Sequence, residues 1–94
     1  RFSMERKEVE KVVKETIFEK MGEFTGLNHA AEINNEDDLE TDMGMDPLDF
    51  VEVVMGIEEK MDIRIPDDVF GDKSVDELTV GIFVDMLYDW VKGK

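Results

Sequence analysis

The chain has 94 residues, no cysteine and a formal net charge of −14 at pH 7. This length suits a single domain over residues 1–94 with a modest core, and the lack of cysteine excludes disulfides, thiolate metal sites and cysteine nucleophiles. The acidic charge argues against nucleic acid and anionic membranes as partners. No apolar run approaches the ~20 residues that span a bilayer. We therefore expect a cytoplasmic monomer.

The first predicted element is a helix over residues 4–20. Its apolar residues recur at three- and four-residue steps and form one stripe, namely Val9, Val12, Val13, Ile17 and Met21. Gly22 is predicted to end this helix, because glycine favours the left-handed conformation at helix ends. The three residues before Met4 are interpreted as an expression scar.

A long polar segment, residues 23–46, follows the first helix. Its glycine and asparagine residues indicate a loop, and loops of this length in small domains are often functional. We expect four apolar side chains to hold it against the core: Phe24, Leu27, Ile33 and Leu39. His29 is predicted to be a surface residue, because no metal ligand or nucleophile accompanies it.

A second helix is predicted over residues 47–61. Asp46 suits the N-cap, Pro47 suits the first helical position, and Asp49 suits the acidic position of a capping box. A short helical turn is predicted over residues 67–71.

The second helix has two sides when it is drawn as a helical wheel. The predicted core side consists of Phe50, Val51, Val54, Ile57 and Met61. The predicted solvent side consists of Asp49, Glu52, Gly56 and Glu59, with Leu48 and Met55 at its margin. An acidic face with two apolar residues suits docking on a basic patch that has a shallow apolar pocket. The simpler alternative is a solvated helix face without a partner.

A last helix is predicted over residues 75–91, opened by the capping box Ser74-Val-Asp-Glu77. Its predicted apolar side consists of Val75, Leu78, Ile82, Met86 and Trp90. No segment alternates between polar and apolar residues, so no strand is predicted. The sequence therefore predicts an all-α, four-helix bundle with three main helices, one short helix and a long first loop.

The run Asp42-Met-Gly-Met-Asp-Pro-Leu-Asp-Phe-Val-Glu52 resembles the motif Asp-Leu-Gly-x-Asp-Ser-Leu-Asp-x-Val-Glu of acyl carrier proteins. The resemblance covers roughly residues 33–90. The matching positions are Asp42, Gly44, Asp46, Leu48, Asp49, Val51, Glu52, Met55, Glu58, Glu59, Ile65 and Pro66. It implies an acyl-carrier-like fold, 4′-phosphopantetheine as the family's cofactor, and a carrier protein of fatty acid or polyketide-type biosynthesis.

The serine that carries the phosphopantetheine arm in this family corresponds to Pro47. Proline has no hydroxyl, so we expect the helix start to survive and the arm to be absent. Asp46 and Leu48 are the flanking positions of the cofactor site that the resemblance implies. Three other hydroxyls, those of Ser3, Thr41 and Ser74, are poorly placed to substitute. Proline here is either natural to a relative that no longer carries acyl groups or a serine-to-proline change in this specimen.

The resemblance also implies partners, namely the basic surfaces of synthases, acyltransferases and the phosphopantetheinyl transferase. The implied contact residues are Asp49, Glu52, Met55, Glu58 and Glu59. No enzyme activity is predicted, because one histidine and no phosphate loop leave no assembled catalytic site.

The acidity leaves one alternative function, an acidic helical protein that binds divalent cations and acts as a regulator. A calcium loop that begins at Asp42 would, however, place Pro47 where glycine is required and Val53 where glutamate is required. No specific metal site is therefore predicted.

Overall fold

The computed structural model describes residues 5–93, which form three α-helices and three 3₁₀ turns. The helices are α1 (Arg6–Thr25), α2 (Pro47–Met61) and α3 (Val80–Val91). The turns are Ala30–Glu32, Asp67–Phe70 and Val75–Glu77. Residues 5–93 contain no strand, only an isolated antiparallel bridge between Asp38 and Thr79. The predicted all-α class is confirmed; the interpretation of residues 1–3 and the predicted helix start at Met4 lie outside the described residues.

Helix α1 is the central element, because it packs against both α2 and α3. It contributes Val9, Val13, Ile17 and Met21 to the core, and α3 contributes Val80, Phe83, Val84 and Leu87. Each such side chain stabilises the fold by about 1.5–3 kcal/mol when it is fully buried. Thr16, also fully buried, satisfies its hydroxyl by donating a 2.7 Å hydrogen bond to the Val12 carbonyl.

Helix α1 extends beyond its predicted end. Gly22 lies inside the helix, with the Phe18 ring beside it, so the predicted stop at Gly22 is wrong. The helix ends at Gly26, which has a φ of 72° and donates its N–H to the Gly22 carbonyl at 3.0 Å. The left-handed conformation at this position is accessible to glycine without the steric cost that other residues meet.

The predicted last helix is two elements rather than one. The Glu77 carboxylate accepts the Ser74 N–H at 2.9 Å, as in a capping box, but the helical turn that follows ends at Glu77. Leu78 is extended and fully buried, and Thr79 then caps α3 by accepting the Ile82 N–H at 3.1 Å.

The break before Thr79 changes which residues of α3 face the core. The predicted apolar side included Ile82, which is 40% exposed, and omitted Phe83 and Val84, which are buried. Val75 and Leu78 are buried as predicted, but they precede α3. The interruption resets the helical phase, so a stripe drawn through residues 75–91 cannot follow the real face.

The first loop is tied to the start of α3 by main-chain hydrogen bonds. The Leu39 N–H donates to the Leu78 carbonyl at 3.1 Å, and the Val80 N–H donates to the Asp37 carbonyl at 2.9 Å. Leu39 and Ile33 are buried and Leu27 is half-buried, as predicted. The prediction for Phe24 is wrong, since its side chain is 65% exposed.

Helices α1 and α2 approach closely at Gly56. A Cβ atom at this position would lie 2.8 Å from Cγ2 of the buried Thr16. Nearby, the Lys60 ammonium lies 2.7 Å from the Glu19 carboxylate and links the same two helices. This crossing decides which side of α2 faces the core.

Two glycine substitutions test the crossing. Gly22→Ala should raise the free energy of unfolding by about 0.5–1 kcal/mol, because alanine favours helices and the new Cβ meets only ordinary contacts with Phe18. Gly56→Ala should instead lower it by about 1 kcal/mol, because the same propensity gain is outweighed by overpacking against Thr16. Urea unfolding measures both, and equal changes would contradict the close approach.

Candidate attachment position and docking face

The start of α2 is closed by a reciprocal capping box. The Asp49 N–H donates to Oδ1 of Asp46 at 2.8 Å, and the Asp46 N–H donates to Oδ2 of Asp49 at 3.1 Å. Pro47 is the first helical residue and is exposed to solvent. The first helical hydrogen bond runs from the Phe50 N–H to the Asp46 carbonyl at 3.0 Å. The predicted N-cap, proline position and capping box are all confirmed.

The chain that leads into α2 is held from the loop side. The Met45 N–H donates to the Leu39 carbonyl at 3.0 Å, and Met43 and Met45 are both buried. Between them Gly44 has a φ of 75°, and the Phe24 ring lies over the side where a Cβ would project. The position of Pro47 is therefore set by backbone contacts and buried neighbours, not by its own side chain.

The chemistry at this helix start is limited by the proline. Its ring offers no nucleophilic atom and no N–H donor, although the N-terminal end of a helix is favourable for a phosphate group. The two alternative hydroxyls that lie among the described residues are both engaged with carboxylates. Thr41 donates to Asp38 at 3.1 Å, and Ser74 lies in its cap against Asp76 and Glu77. Ser3 is outside the described residues.

The outward face of α2 differs from the face that the helical wheel predicted. Val51 is 50% exposed, so it is not the core residue that was predicted. Leu48 and Met55, predicted at the margin of the solvent side, are 68% and 57% exposed. The exposed carboxylates of Glu52 and Glu59 accompany them. We call these five residues the outward face.

The buried side of α2 is centred on Val53, Ile57 and Met61. The wheel placed Gly56 on the solvent side, but it faces α1. Asp49, also placed there, is half-buried and committed to the cap. The reason is tertiary: α2 is buried where it meets α1 on one flank and phenylalanine side chains on the other, and these neighbours set its rotation.

An aromatic cluster anchors the second flank of α2. The rings of Phe70 and Phe83 stack with centroids 4.6 Å apart, and Phe50 meets each of them edge-on at 5.6 Å. Beside this cluster lies a cavity of about 180 Å³ between α2 and the turn Asp67–Phe70. Its walls include Val54 and Met55.

Glu58 has a structural role that its sequence position did not indicate. Its carboxylate accepts the Ile65 N–H at 2.7 Å, which closes the segment between α2 and the turn Asp67–Phe70. The side chain is half-buried, unlike Glu52 and Glu59. Among the acidic residues predicted to contact partners, Glu58 is thus already engaged within the fold.

No metal-binding cluster is present in the part of the chain that the structure describes. Residues 5–93 contain no group of three or more histidine, cysteine, aspartate or glutamate side chains arranged to hold a metal ion. His29 is exposed and precedes the turn Ala30–Glu32. The main-chain N–H groups of Asn28 and His29 donate to the Glu32 carboxylate, and these two hydrogen bonds lower the pKa of the Glu32 carboxyl. None of the helices in this same range has the length and apolarity needed to cross a membrane.

The chain matches a known protein family over most of its length. The model of a family described as "Phosphopantetheine attachment site" matches residues 15–79. The matched range includes most of α1, the first loop, the capped start of α2 and the whole outward face.

The capping box at the start of α2 can be tested by removing its acceptor. Asp46→Ala should lower the free energy of unfolding by about 1 kcal/mol, because the Asp49 N–H loses its partner. Asp46→Asn should retain most of the stability, because the amide oxygen still accepts this hydrogen bond. Asp72→Ala, at an exposed aspartate in a turn, makes the same charge change as a control. Equal losses for the two alanine variants in urea unfolding would contradict the assigned cap.

Proposed function

The chain belongs to the phosphopantetheine attachment site family, and from this premise we propose that it docks on carrier-dependent enzymes without carrying cargo. Members of this family in general carry 4′-phosphopantetheine and serve partner enzymes rather than catalyse reactions themselves. In this proposal the chain keeps the partner surface of a carrier and lacks the attachment group. We propose that it acts in fatty acid or polyketide-type biosynthesis as a cytoplasmic monomer.

The observation that carries this proposal is Pro47 at the first position of an intact, capped helix. In the family, the arm is attached to a serine hydroxyl at the start of this helix. In the transferase reaction that oxygen bonds to the pantetheine-side phosphorus of coenzyme A, the pyrophosphate bond breaks, and 3′-phosphoadenosine 5′-phosphate leaves. Proline has no oxygen that could form this bond. The substitution costs the fold little, because the N–H of the first helical residue has no partner within the helix.

The outward face supports the docking half of the proposal. Three apolar side chains are exposed together on one helix, beside two exposed carboxylates. Solubility does not explain such a cluster, because exposed apolar side chains lower solubility, whereas an interaction site does explain it. A partner with a basic patch would be attracted by Glu52 and Glu59 and would bury Leu48 in an apolar pocket. Surface charges of this kind act mainly on the association rate and are screened by salt.

The loading half is tested by mass spectrometry of the intact protein. We expect the unaltered chain to gain no phosphopantetheine mass when it is incubated with coenzyme A and a broad-specificity transferase. Pro47→Ser should be modified, because Asp46, Leu48 and Asp49 around the new hydroxyl are unchanged. Modification of the unaltered chain would mean that another hydroxyl carries the arm, and a failure of Pro47→Ser would mean that the site is not an attachment position.

The docking half is tested by charge reversal. Glu52→Lys with Glu59→Lys should weaken binding to a carrier-dependent enzyme about tenfold or more at low salt, and less at high salt. Leu48→Ala should also weaken it, with little effect on folding because the side chain is mostly exposed. Titration at two salt concentrations measures these effects.

The control reverses two exposed aspartates outside α2. Asp72→Lys with Asp89→Lys makes the same change in net charge, and both side chains are exposed. This pair should leave binding nearly unchanged. If both pairs of reversals weaken binding equally, the attraction is only one of net charge and the docking face is wrong.

A further inference from the structure

One long stretch of the chain has no positive side chain. Residues 21–59 contain twelve aspartates and glutamates and neither lysine nor arginine. Five large hydrophobic side chains are exposed among the described residues, and four of them lie in this stretch: Phe24, Leu48, Val51 and Met55. The fifth, Ile82, lies on α3. Exposed apolar groups and uncompensated carboxylates thus coincide in one part of the molecule.

Phe24 is the member of this set that α2 does not carry. It lies near the end of α1, and its ring is placed over Gly44, two residues before the Asp46 cap. Leu48 lies four positions after Gly44, so their Cα atoms are at most about 14 Å apart. An interface of standard size, about 800 Å² on each partner, is large enough to cover both Phe24 and Leu48.

The fold itself gains little from an exposed ring at this position. The Phe24 side chain is 65% exposed, so most of its apolar area contributes nothing to the core. The first loop is held instead by buried Ile33 and Leu39 and by main-chain hydrogen bonds to the start of α3. Aromatic side chains that remain exposed in the free protein are typical anchors of protein interfaces.

We propose that Phe24 is a second apolar anchor of the docking surface, inserted into an apolar pocket of the same basic enzyme surface that receives the outward face of α2. The proposal rests on the proposed function and extends the contact across the start of α2 to the end of α1. Glu23 precedes Phe24 in the chain, and the Glu40 carbonyl accepts the N–H of Gly44, over which the ring lies. Both glutamates are exposed, so we expect the matching pocket to have a basic rim. Contact with both anchors would also fix the orientation of the partner relative to the start of α2.

The test uses the Pro47→Ser chain as substrate of a phosphopantetheinyl transferase, with coenzyme A as co-substrate. Adding Phe24→Ala should raise KM for the carrier about three- to tenfold, as expected for loss of an interface anchor, and leave kcat unchanged. Phe24→Leu should recover part of the loss, because it restores an apolar side chain. Adding Ile82→Ala, which truncates the exposed hydrophobic residue on α3, should change KM less than twofold.

Two further readouts separate docking from a structural role of the ring over Gly44. The thermal midpoint of unfolding of the Phe24→Ala variant should match that of the Pro47→Ser chain. In a two-dimensional NMR spectrum, the backbone amide signals should shift only near residues 24 and 44. A drop of several degrees with spectral changes that reach α2 would overturn the proposal, because the rise in KM would then follow from a displaced helix start.

The remaining outcomes distinguish this inference from the proposed function. If Glu52→Lys with Glu59→Lys raises KM while Phe24→Ala behaves like Ile82→Ala, the Phe24 anchor is wrong and docking through α2 stands. If neither alteration changes KM, docking through α2 and the Phe24 anchor both fail. If Pro47→Ser is not modified at all, residue 47 is not an attachment position, and the proposed function fails together with the Phe24 anchor.

Discussion

The position of α2 depends on the main chain of Leu39. Its N–H donates to the Leu78 carbonyl, its carbonyl accepts the Met45 N–H, and its side chain is 1% exposed. One buried residue therefore links the segment before α3 to the segment before α2. Because a buried main-chain group without a partner costs free energy, neither segment can shift without breaking a buried contact.

This constraint explains how the start of α2 keeps its shape with proline at residue 47. The chain enters α2 through Met45 and Asp46, and Asp49 completes the cap. The side chain at the first helical position takes part in none of these contacts. Proline suits that position as well as serine does, because its missing N–H would have had no helical partner. The fold therefore does not require a hydroxyl group at this position, in keeping with the general rule that function depends on the site rather than on the fold.

The outward face of α2 is likewise independent of the side chain at residue 47. The outward face of α2 requires only that the helix be capped, rotated by Gly56 against α1, and supported by the Phe50 contacts with Phe70 and Phe83. None of these contacts involves the side chain of Pro47. The outward face can thus be maintained whatever side chain stands at residue 47, as the proposed docking without an arm requires.

The sequence predicted the features that local chemistry decides. The cap of α2 needs only Asp46, Pro47 and Asp49, which are adjacent in the chain, so it was found. The end of α1 was missed because Gly22 is tolerated in a helix where a ring covers it, and the stop depends on Gly26.

Helical periodicity does not predict features that depend on contacts between residues far apart in the sequence. The rotation of α2 is decided by Thr16 on α1, forty residues before Gly56, and the restart of α3 at Thr79 follows the burial of Leu78 beside the first loop. The exposure of Val51 and Phe24 follows from these tertiary contacts, and no pattern in the sequence indicates it.

The central claim is that the unaltered chain docks where a loadable carrier docks. It is tested most directly by adding the unaltered chain to a transferase reaction in which the Pro47→Ser chain is the substrate. The account predicts competitive inhibition, with a raised KM for the substrate, an unchanged kcat and an inhibition constant close to that KM. No inhibition at concentrations well above the KM would contradict the claim, since the two chains differ only at residue 47.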